Sequence, residues 1–150
     1  MKMALAAMIL GTLMTGPEPK PVGTVLFVCE HGSAKSVVAA AHFNRIAAER
    51  GLPFRAISRG TVPDLEMAPA AVKGLLGDGL KPTDPAPTKL TQSDLDTAAR
   101  VITFCDLPPD FKTATPIERW EVPPVSTEYD RSREAMLGLM ERLLLELAPE

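Results

Sequence analysis

The chain has 150 residues, of which 45% are hydrophobic and 23% are charged, and 16 basic against 19 acidic residues give a formal net charge of −3. This length and composition suit one globular domain with a single core, and they exclude repeat arrays, multidomain assemblies and disordered chains. The near balance of charge excludes a broad basic face for nucleic acid, and two cysteines are too few for a disulfide scaffold.

The N-terminal segment has the outline of a signal peptide. Lys2 precedes a run without charge from Met3 to Met14, and a proline-rich stretch follows it. The run is shorter than the roughly 20 apolar residues that a membrane span needs. We therefore expect a signal peptide over 1–16, a linker over 17–23 and the functional domain over 24–150. This predicts a periplasmic or secreted protein with no membrane attachment after cleavage. The alternative is an apolar N-terminal helix on a cytoplasmic protein, because no clean A-x-A site follows the run.

From Thr24 onward, short β-rich runs alternate with longer helical patterns, which is typical of βαβ units and a parallel sheet. The predicted strands cover 24–29, 54–58, 101–105 and an extended piece around 120–122. The predicted helices cover 33–50, a segment from Pro69 that stops at Gly79, a short helix opened by the capping box 91–94, and 127–147. The pattern predicts a three-layer α/β fold with helices on both faces of the sheet.

Both cysteines, Cys29 and Cys105, stand at the C-terminal end of a predicted parallel strand. Open α/β sheets place their ligand crevices at this end. If the two strands are neighbours, a spacing of about 4.8 Å brings the cysteines within reach of a disulfide, so that they could exchange electrons or share a ligand. The alternative is two buried cysteines that act only as small hydrophobic residues.

The residues after Cys29 form a candidate anion cradle, because a loop of small residues over 30–34 leads through Lys35 and Ser36 into the predicted helix. Backbone N–H groups of such a loop, the helix dipole and the lysine charge all favour a bound oxyanion. The same field favours the thiolate of Cys29, which makes it a candidate nucleophile. Glu30 opposes both effects unless it faces solvent or pairs with a base such as Arg59.

These residues resemble the pattern of a known family. Cys29, five loop residues and Lys35-Ser36 are similar to the C-x5-R-S phosphate loop of the low-molecular-weight protein tyrosine phosphatases and thioredoxin-coupled arsenate reductases. Further similar segments, in the family's order, are Ser58-Arg59-Gly60-Thr61, Pro69 to Val72, Asp94 to Cys105 and Trp120 to Val122. The resemblance covers about Thr24 to Leu147 and implies a four-stranded parallel sheet flanked by helices.

The resemblance implies that Cys29 attacks phosphorus or arsenic while the loop amides and Lys35 stabilise the equatorial oxygens, with no metal or cofactor. The expected ligand is phosphate, arsenate or a phosphorylated substrate. Arsenate reduction would need an external thiol, because the thioredoxin-coupled relatives use three cysteines and this chain has two. The candidate catalytic residues are Cys29, Lys35, Cys105 and Asp106. The candidate oxyanion-binding residues are Glu30, His31, Gly32, Ser33, Ala34, Lys35, Ser36 and Arg59.

Two departures from the family pattern bear on activity. Lys35 stands where the family has an arginine, so the planar fork that grips two oxygens is absent unless Arg59 supplies it. The family's general-acid aspartate has no counterpart between Trp120 and Val125, and the candidate substitutes are Asp106, Asp110 and Glu121.

Two other functions remain open at this point. A catalytically degenerate oxyanion-binding or sensor module would explain the loss of both the arginine and the aspartate. A metal site built from Cys29, His31, Cys105 and Asp106 is a third hypothesis, because thiolate and imidazole ligands suit zinc or copper(I).

Overall fold

The computed structural model describes residues 23–149, so the predicted signal peptide, residues 17–22 of the predicted linker and Glu150 lie outside the described residues. The chain forms a four-stranded parallel sheet in the order β2-β1-β3-β4. The strands are β1 (Gly23–Cys29), β2 (Phe54–Gly60), β3 (Arg100–Thr103) and β4 (Ile117–Arg119). The helices are α1 (Lys35–Glu49), α2 (Pro69–Gly77), α3 (Gln92–Thr97) and α4 (Tyr129–Leu147).

The central strand β1 is buried on both faces, as its continuous apolar sequence predicts. Because successive side chains alternate across a strand, Val25, Phe27 and Cys29 pack into a large core with α1, α2 and α4. Leu26 and Val28 pack into a smaller core on the opposite face, beside α3. The predicted α/β fold with helices on both faces of a parallel sheet is therefore confirmed.

Aromatic side chains fill the large core below the carboxyl end of the sheet. The ring of Phe27 lies 5.6 Å from the indole of Trp120 and 6.5 Å from the ring of Phe104, measured between ring centroids. These contacts fix the two segments that follow β3 and β4. Both segments begin at the end of the sheet where β1 delivers Cys29.

Several element boundaries differ from the prediction. The fourth strand precedes the predicted piece around 120–122, because Trp120 turns into the core and only 1% of it is exposed. The first helix begins at Lys35 rather than at residue 33, because the preceding residues form a loop. The capping box is confirmed, since the Thr91 hydroxyl accepts from the Asp94 N–H and the Asp94 carboxylate accepts from the Thr91 N–H. No helix within residues 23–149 has the length and apolar character to cross a membrane.

Candidate active site

The loop between β1 and α1 lies directly against the end of β2. We call residues 30–36 the anion loop. Gly32 has a φ of +59°, a left-handed conformation that favours glycine. A Cβ atom on Gly60 would lie 2.6 Å from the backbone nitrogen of Gly32, so only a glycine fits at this end of β2. The pair of glycines brings the anion loop against the segment that follows β2.

The carbonyl groups of the anion loop face the segment formed by residues 61–68. The N–H groups of Thr61, Val62, Asp64 and Ala68 donate to the carbonyls of residues 29, 30, 31 and 33, at 3.2, 2.7, 3.0 and 3.0 Å. In a planar trans peptide the next N–H points the opposite way, so the amides of residues 30, 31, 32 and 34 face away from this segment. Within residues 23–149, no protein group accepts a hydrogen bond from the amides of 30–36.

These unpaired amides and the N-terminus of α1 form a site for an anion. A row of backbone donors in one concave turn, together with the positive end of a helix dipole, binds phosphate-like groups. Lys35 adds a positive charge at the first residue of α1.

The thiol of Cys29 lies at the base of this loop and is buried, with 8% of the residue exposed. Its Sγ atom is 2.9 Å from the hydroxyl of Ser36, which is completely buried in the first turn of α1. Either atom can donate in this contact, and the hydroxyl is the donor when the sulfur carries no proton. Sequence reasoning assigned Ser36 to the oxyanion and missed this contact, although the spacing from Cys29 into the first helical turn could have suggested it.

A cavity of about 260 Å³ opens over the thiol. The residues of the anion loop that line it, with the nucleophile, are Cys29, Glu30, His31, Ser33, Ala34 and Lys35. The opposite wall is formed by Phe104, Cys105, Pro124, Val125 and Ser126. The structure therefore brings both cysteines and Lys35 to one cavity. Of the described residues that line it, Glu30 is the only one with a carboxylate.

Cys105 lies beside the anion loop because β1 and β3, the strands that lead to the two cysteines, are neighbours in the sheet. The Phe104 N–H donates to the Val28 carbonyl at 2.8 Å, which places the next residue level with the start of the loop. Both thiols are free. Burial raises the pKa of Cys105, and the charges of Cys29 and Glu30 raise it further, while Arg119 and the Thr61 hydroxyl oppose the shift. Cys105 is therefore a neutral thiol at neutral pH.

Asp106, a predicted catalytic residue, lies outside the cavity in this structure. Its carboxylate is 93% exposed, pairs with Arg119 and does not line the cavity. Glu121 binds the same guanidinium at 2.8 Å, and Asp110 is likewise exposed away from the cavity lining. None of the three candidate substitutes for the general acid lines the cavity over the thiol.

Arg59, a predicted oxyanion-binding residue, does not line the cavity and has other partners. Its Nε atom donates to the Asp94 carboxylate at 3.1 Å, and its guanidinium lies 3.5 Å from the Asp84 carboxylate. Its neighbours in β2, Ser58 and Gly60, are buried. Because side chains alternate between the two faces of a strand, Arg59 points to the opposite face, toward α3. The guanidinium therefore supplies no fork to an anion and does not neutralise Glu30.

Asp64 holds the anion loop, and sequence reasoning did not identify it. Its Oδ2 atom accepts from the Ser33 hydroxyl at 2.8 Å, and its Oδ1 atom is 3.4 Å from Nδ1 of His31. Its backbone N–H also donates to the His31 carbonyl at 3.0 Å. No sequence signal could have revealed these contacts, since 31 residues separate Asp64 from Ser33.

Metal binding is not supported by the arrangement of these side chains. Among residues 23–149, no three or more histidine, cysteine, aspartate or glutamate side chains come together as a metal site would require. The hypothetical ligand set of Cys29, His31, Cys105 and Asp106 is therefore not assembled, and Asp106 is bound to Arg119 instead.

The family of the chain is decided by comparison with sequence models of known families. The model of the low molecular weight phosphotyrosine protein phosphatases matches residues 24–115, which is more than half of the chain. The chain belongs to this family. The predicted resemblance to the phosphatase and arsenate reductase superfamily is thereby confirmed. A comparison with curated proteins found no match.

Solved structures with the same fold include both phosphatases and arsenate reductases. An arsenate reductase from Archaeoglobus fulgidus is 26% identical over 82% of this chain and 98% of its own, with a TM-score of 0.59. A low molecular weight protein tyrosine phosphatase from T. tengcongensis is 23% identical over 83% and 99%, with a TM-score of 0.66. A thioredoxin-dependent arsenate reductase from Corynebacterium glutamicum is 23% identical over 84% and 64%, with a TM-score of 0.65.

Proposed function

We propose that this member of the phosphatase family is an enzyme that transfers a phosphoryl group from a phosphate monoester to Cys29 and then to water. One observation carries the proposal. The Cys29 thiol, 2.9 Å from the buried Ser36 hydroxyl, lies at the base of a loop whose amides have no protein acceptor within residues 23–149. A stabilised nucleophile beside preorganised donors is what phosphoryl transfer to sulfur requires.

In the first step, the Cys29 thiolate attacks phosphorus, the S–P bond forms and the P–O bond to the leaving group breaks. The amides of 30–36 and the Lys35 ammonium stabilise the charge on the equatorial oxygens. In the second step, water attacks phosphorus, the S–P bond breaks and phosphate leaves.

Leaving groups that need little protonation are the expected substrates at this site. The wall formed by Pro124, Val125 and Ser126 lies across the cavity from the anion loop and carries no carboxylate. Losing a general acid costs about 10²–10⁴-fold in rate, and the cost is smallest for acidic leaving groups. This supports p-nitrophenyl phosphate as the first test substrate.

The test is hydrolysis of p-nitrophenyl phosphate by the reduced full chain between pH 5 and 8. We expect turnover that Cys29→Ser abolishes and that Cys105→Ser, the matched control at the other thiol, retains. Equal turnover by wild type and Cys29→Ser would refute the proposal. So would no turnover by a wild-type sample whose thiols are shown to be free.

Arsenate reduction is the second candidate function, and the presence of Cys105 in the same cavity as Cys29 favours it. The similarity to the Archaeoglobus fulgidus arsenate reductase adds support. An S–As bond would form at Cys29 as an As–O bond breaks. The oxygen lost from arsenic leaves as water, with its protons taken from solvent. Cys105 would then attack the Cys29 sulfur, and its proton passes to an oxygen of the departing arsenite. The S–S bond forms while the electron pair of the S–As bond reduces As(V) to As(III). An external thiol must reduce the disulfide after each turnover.

Arsenite formation in the presence of dithiothreitol tests this second function. We expect Cys105→Ser to lose arsenite formation while it keeps hydrolysis of p-nitrophenyl phosphate. Undiminished arsenite formation by Cys105→Ser would exclude the proposed resolving role. Calorimetric binding of phosphate, sulfate or arsenate without any turnover would instead support the non-catalytic oxyanion-binding module.

A further inference from the structure

The anion loop itself contains a side chain suited to donate a proton. The titratable residues that line the cavity within 23–149 are Cys29, Glu30, His31, Lys35 and Cys105. Cys29 is the proposed nucleophile, and the Lys35 ammonium stabilises the charge on the phosphate oxygens. Cys105 is a thiol with a raised pKa, which makes it a weak acid. The remaining candidate proton donors are Glu30 and His31, which are neighbours at the exposed side of the cavity.

His31 is oriented by a fixed carboxylate, whereas Glu30 is not. The Nδ1 atom of His31 is 3.4 Å from Oδ1 of Asp64. Asp64 is itself held by the hydroxyl of Ser33 at 2.8 Å and by its own N–H on the His31 carbonyl. The side chains of His31 and Glu30 are 57% and 63% exposed, but no described residue holds the Glu30 carboxylate as Asp64 holds His31; its Oε2 atom lies 3.9 Å from Nε2 of His31.

The second ring nitrogen of His31, Nε2, lies 3.9 Å from Oε2 of Glu30 and makes no hydrogen bond within residues 23–149. A protonated imidazole donates from both nitrogens, so Nδ1–H faces Asp64 while Nε2–H remains for another acceptor. An imidazole oriented by a carboxylate beside a nucleophile is the usual construction of a proton-transfer group in enzymes.

We propose that His31 donates the proton to the leaving oxygen, and that Asp64 is the residue that positions it. This inference rests on the proposed phosphatase function. As the S–P bond to Cys29 forms and the P–O bond breaks, the proton on Nε2 moves to the departing oxygen. In the second step the neutral imidazole takes a proton from the attacking water, and the S–P bond breaks to release phosphate. His31 thus returns to its starting state in each turnover.

The test compares two aryl phosphates whose leaving groups differ in their need for a proton. Phenol resembles the tyrosine side chain, with a pKa of about 10, whereas p-nitrophenol is far more acidic. We expect His31→Asn to lower kcat/KM, which reports only the transfer to Cys29, by about 100-fold or more with phenyl phosphate and by less than about tenfold with p-nitrophenyl phosphate. The asparagine amide occupies the place of Nδ1 and keeps the contact with Asp64.

Two further variants separate positioning from chemistry. Asp64→Asn keeps an oxygen for the Ser33 hydroxyl but removes the charge that faces His31. It should show the same preference for the acidic leaving group with a smaller loss. Glu30→Gln, the neighbouring matched control, should affect both substrates equally. A selective loss with phenyl phosphate in Glu30→Gln instead would assign the proton to Glu30 and overturn the proposal.

Failure of this inference is distinguishable from failure of the proposed function. An equal loss of kcat/KM with both substrates in His31→Asn, or a loss of phosphate binding measured by calorimetry, would show that His31 only maintains the loop. Either result would overturn the inference while p-nitrophenyl phosphate hydrolysis by the wild type still stood. If the wild type hydrolyses neither substrate, the phosphatase function fails first.

Discussion

Gly60→Ala tests whether the contact between β2 and the anion loop sets the geometry of the site. The added Cβ would lie 2.6 Å from the backbone nitrogen and 2.8 Å from the Cα of Gly32. Ordinary van der Waals contact begins at 3.4 Å, so the added Cβ and the Gly32 nitrogen must move apart by about 0.8 Å. Both neighbours are backbone atoms, which cannot rotate out of the way as a side chain can.

Overpacking of this kind costs about 1–3 kcal/mol of the free energy of unfolding. The displaced loop also loses the alignment of the bonds from Thr61 and Val62 to its carbonyls, and with it the orientation of the amides. We therefore expect both lower stability and weaker phosphate binding. Gly138→Ala is the matched control, since that glycine lies exposed in α4 with no atom within 4 Å of an added Cβ. It should stabilise the protein by up to about 1 kcal/mol.

Urea unfolding measures the stability of both variants, and calorimetry with inorganic phosphate measures the affinity of the anion loop for phosphate. We expect Gly60→Ala to lose stability and to bind phosphate at least tenfold more weakly, while Gly138→Ala keeps the wild-type affinity. A Gly60→Ala protein with unchanged stability and unchanged phosphate affinity would refute the argument that this close approach shapes the anion loop.

Three other predictions follow from single side chains. Lys35→Arg should strengthen phosphate binding several-fold in calorimetry, because a guanidinium grips two oxygens where an ammonium grips one; weaker binding would contradict this. Burial lowers the pKa of His42, with Asp78 opposing the shift. On acidification the unfolded chain therefore protonates His42 at a higher pH than the folded chain does. The free energy of unfolding, measured in urea, should be highest above about pH 6.5 and should fall as the pH is lowered. In His42→Gln this dependence on pH should be weaker. Arg59→Gln should lower the thermal midpoint yet leave p-nitrophenyl phosphate turnover within about twofold, since its partners Asp84 and Asp94 lie outside the cavity.

The local parts of the fold and site could be predicted from the sequence. The apolar run of β1 and the small-residue loop before Lys35 are contiguous signals, and both cysteines follow central strands at the carboxyl end of the sheet. β4 was misplaced because this three-residue strand has no fully buried residue and therefore no apolar pattern. Export of the protein stays a prediction, since residues 1–16 lie outside the described part.

Side-chain directions set by distant partners could not be predicted. Arg59 is turned from the loop by carboxylates 25 and 35 residues away along the chain. The contact between Asp64 and Ser33 spans 31 residues, and it determines how the loop and His31 are held. A spacing motif describes the backbone of such a site but not the side chains that close around it.

Covalent phosphorylation of Cys29 is the central claim, and acid-quenched mass spectrometry tests it most directly. The reduced full chain is mixed with p-nitrophenyl phosphate, quenched within the first turnover and digested. We predict a phosphoryl group on the Cys29 sulfur together with a burst of p-nitrophenolate, and neither signal in Cys29→Ala. Turnover without an adduct on Cys29, or an adduct on another residue that persists in Cys29→Ala, would contradict the account.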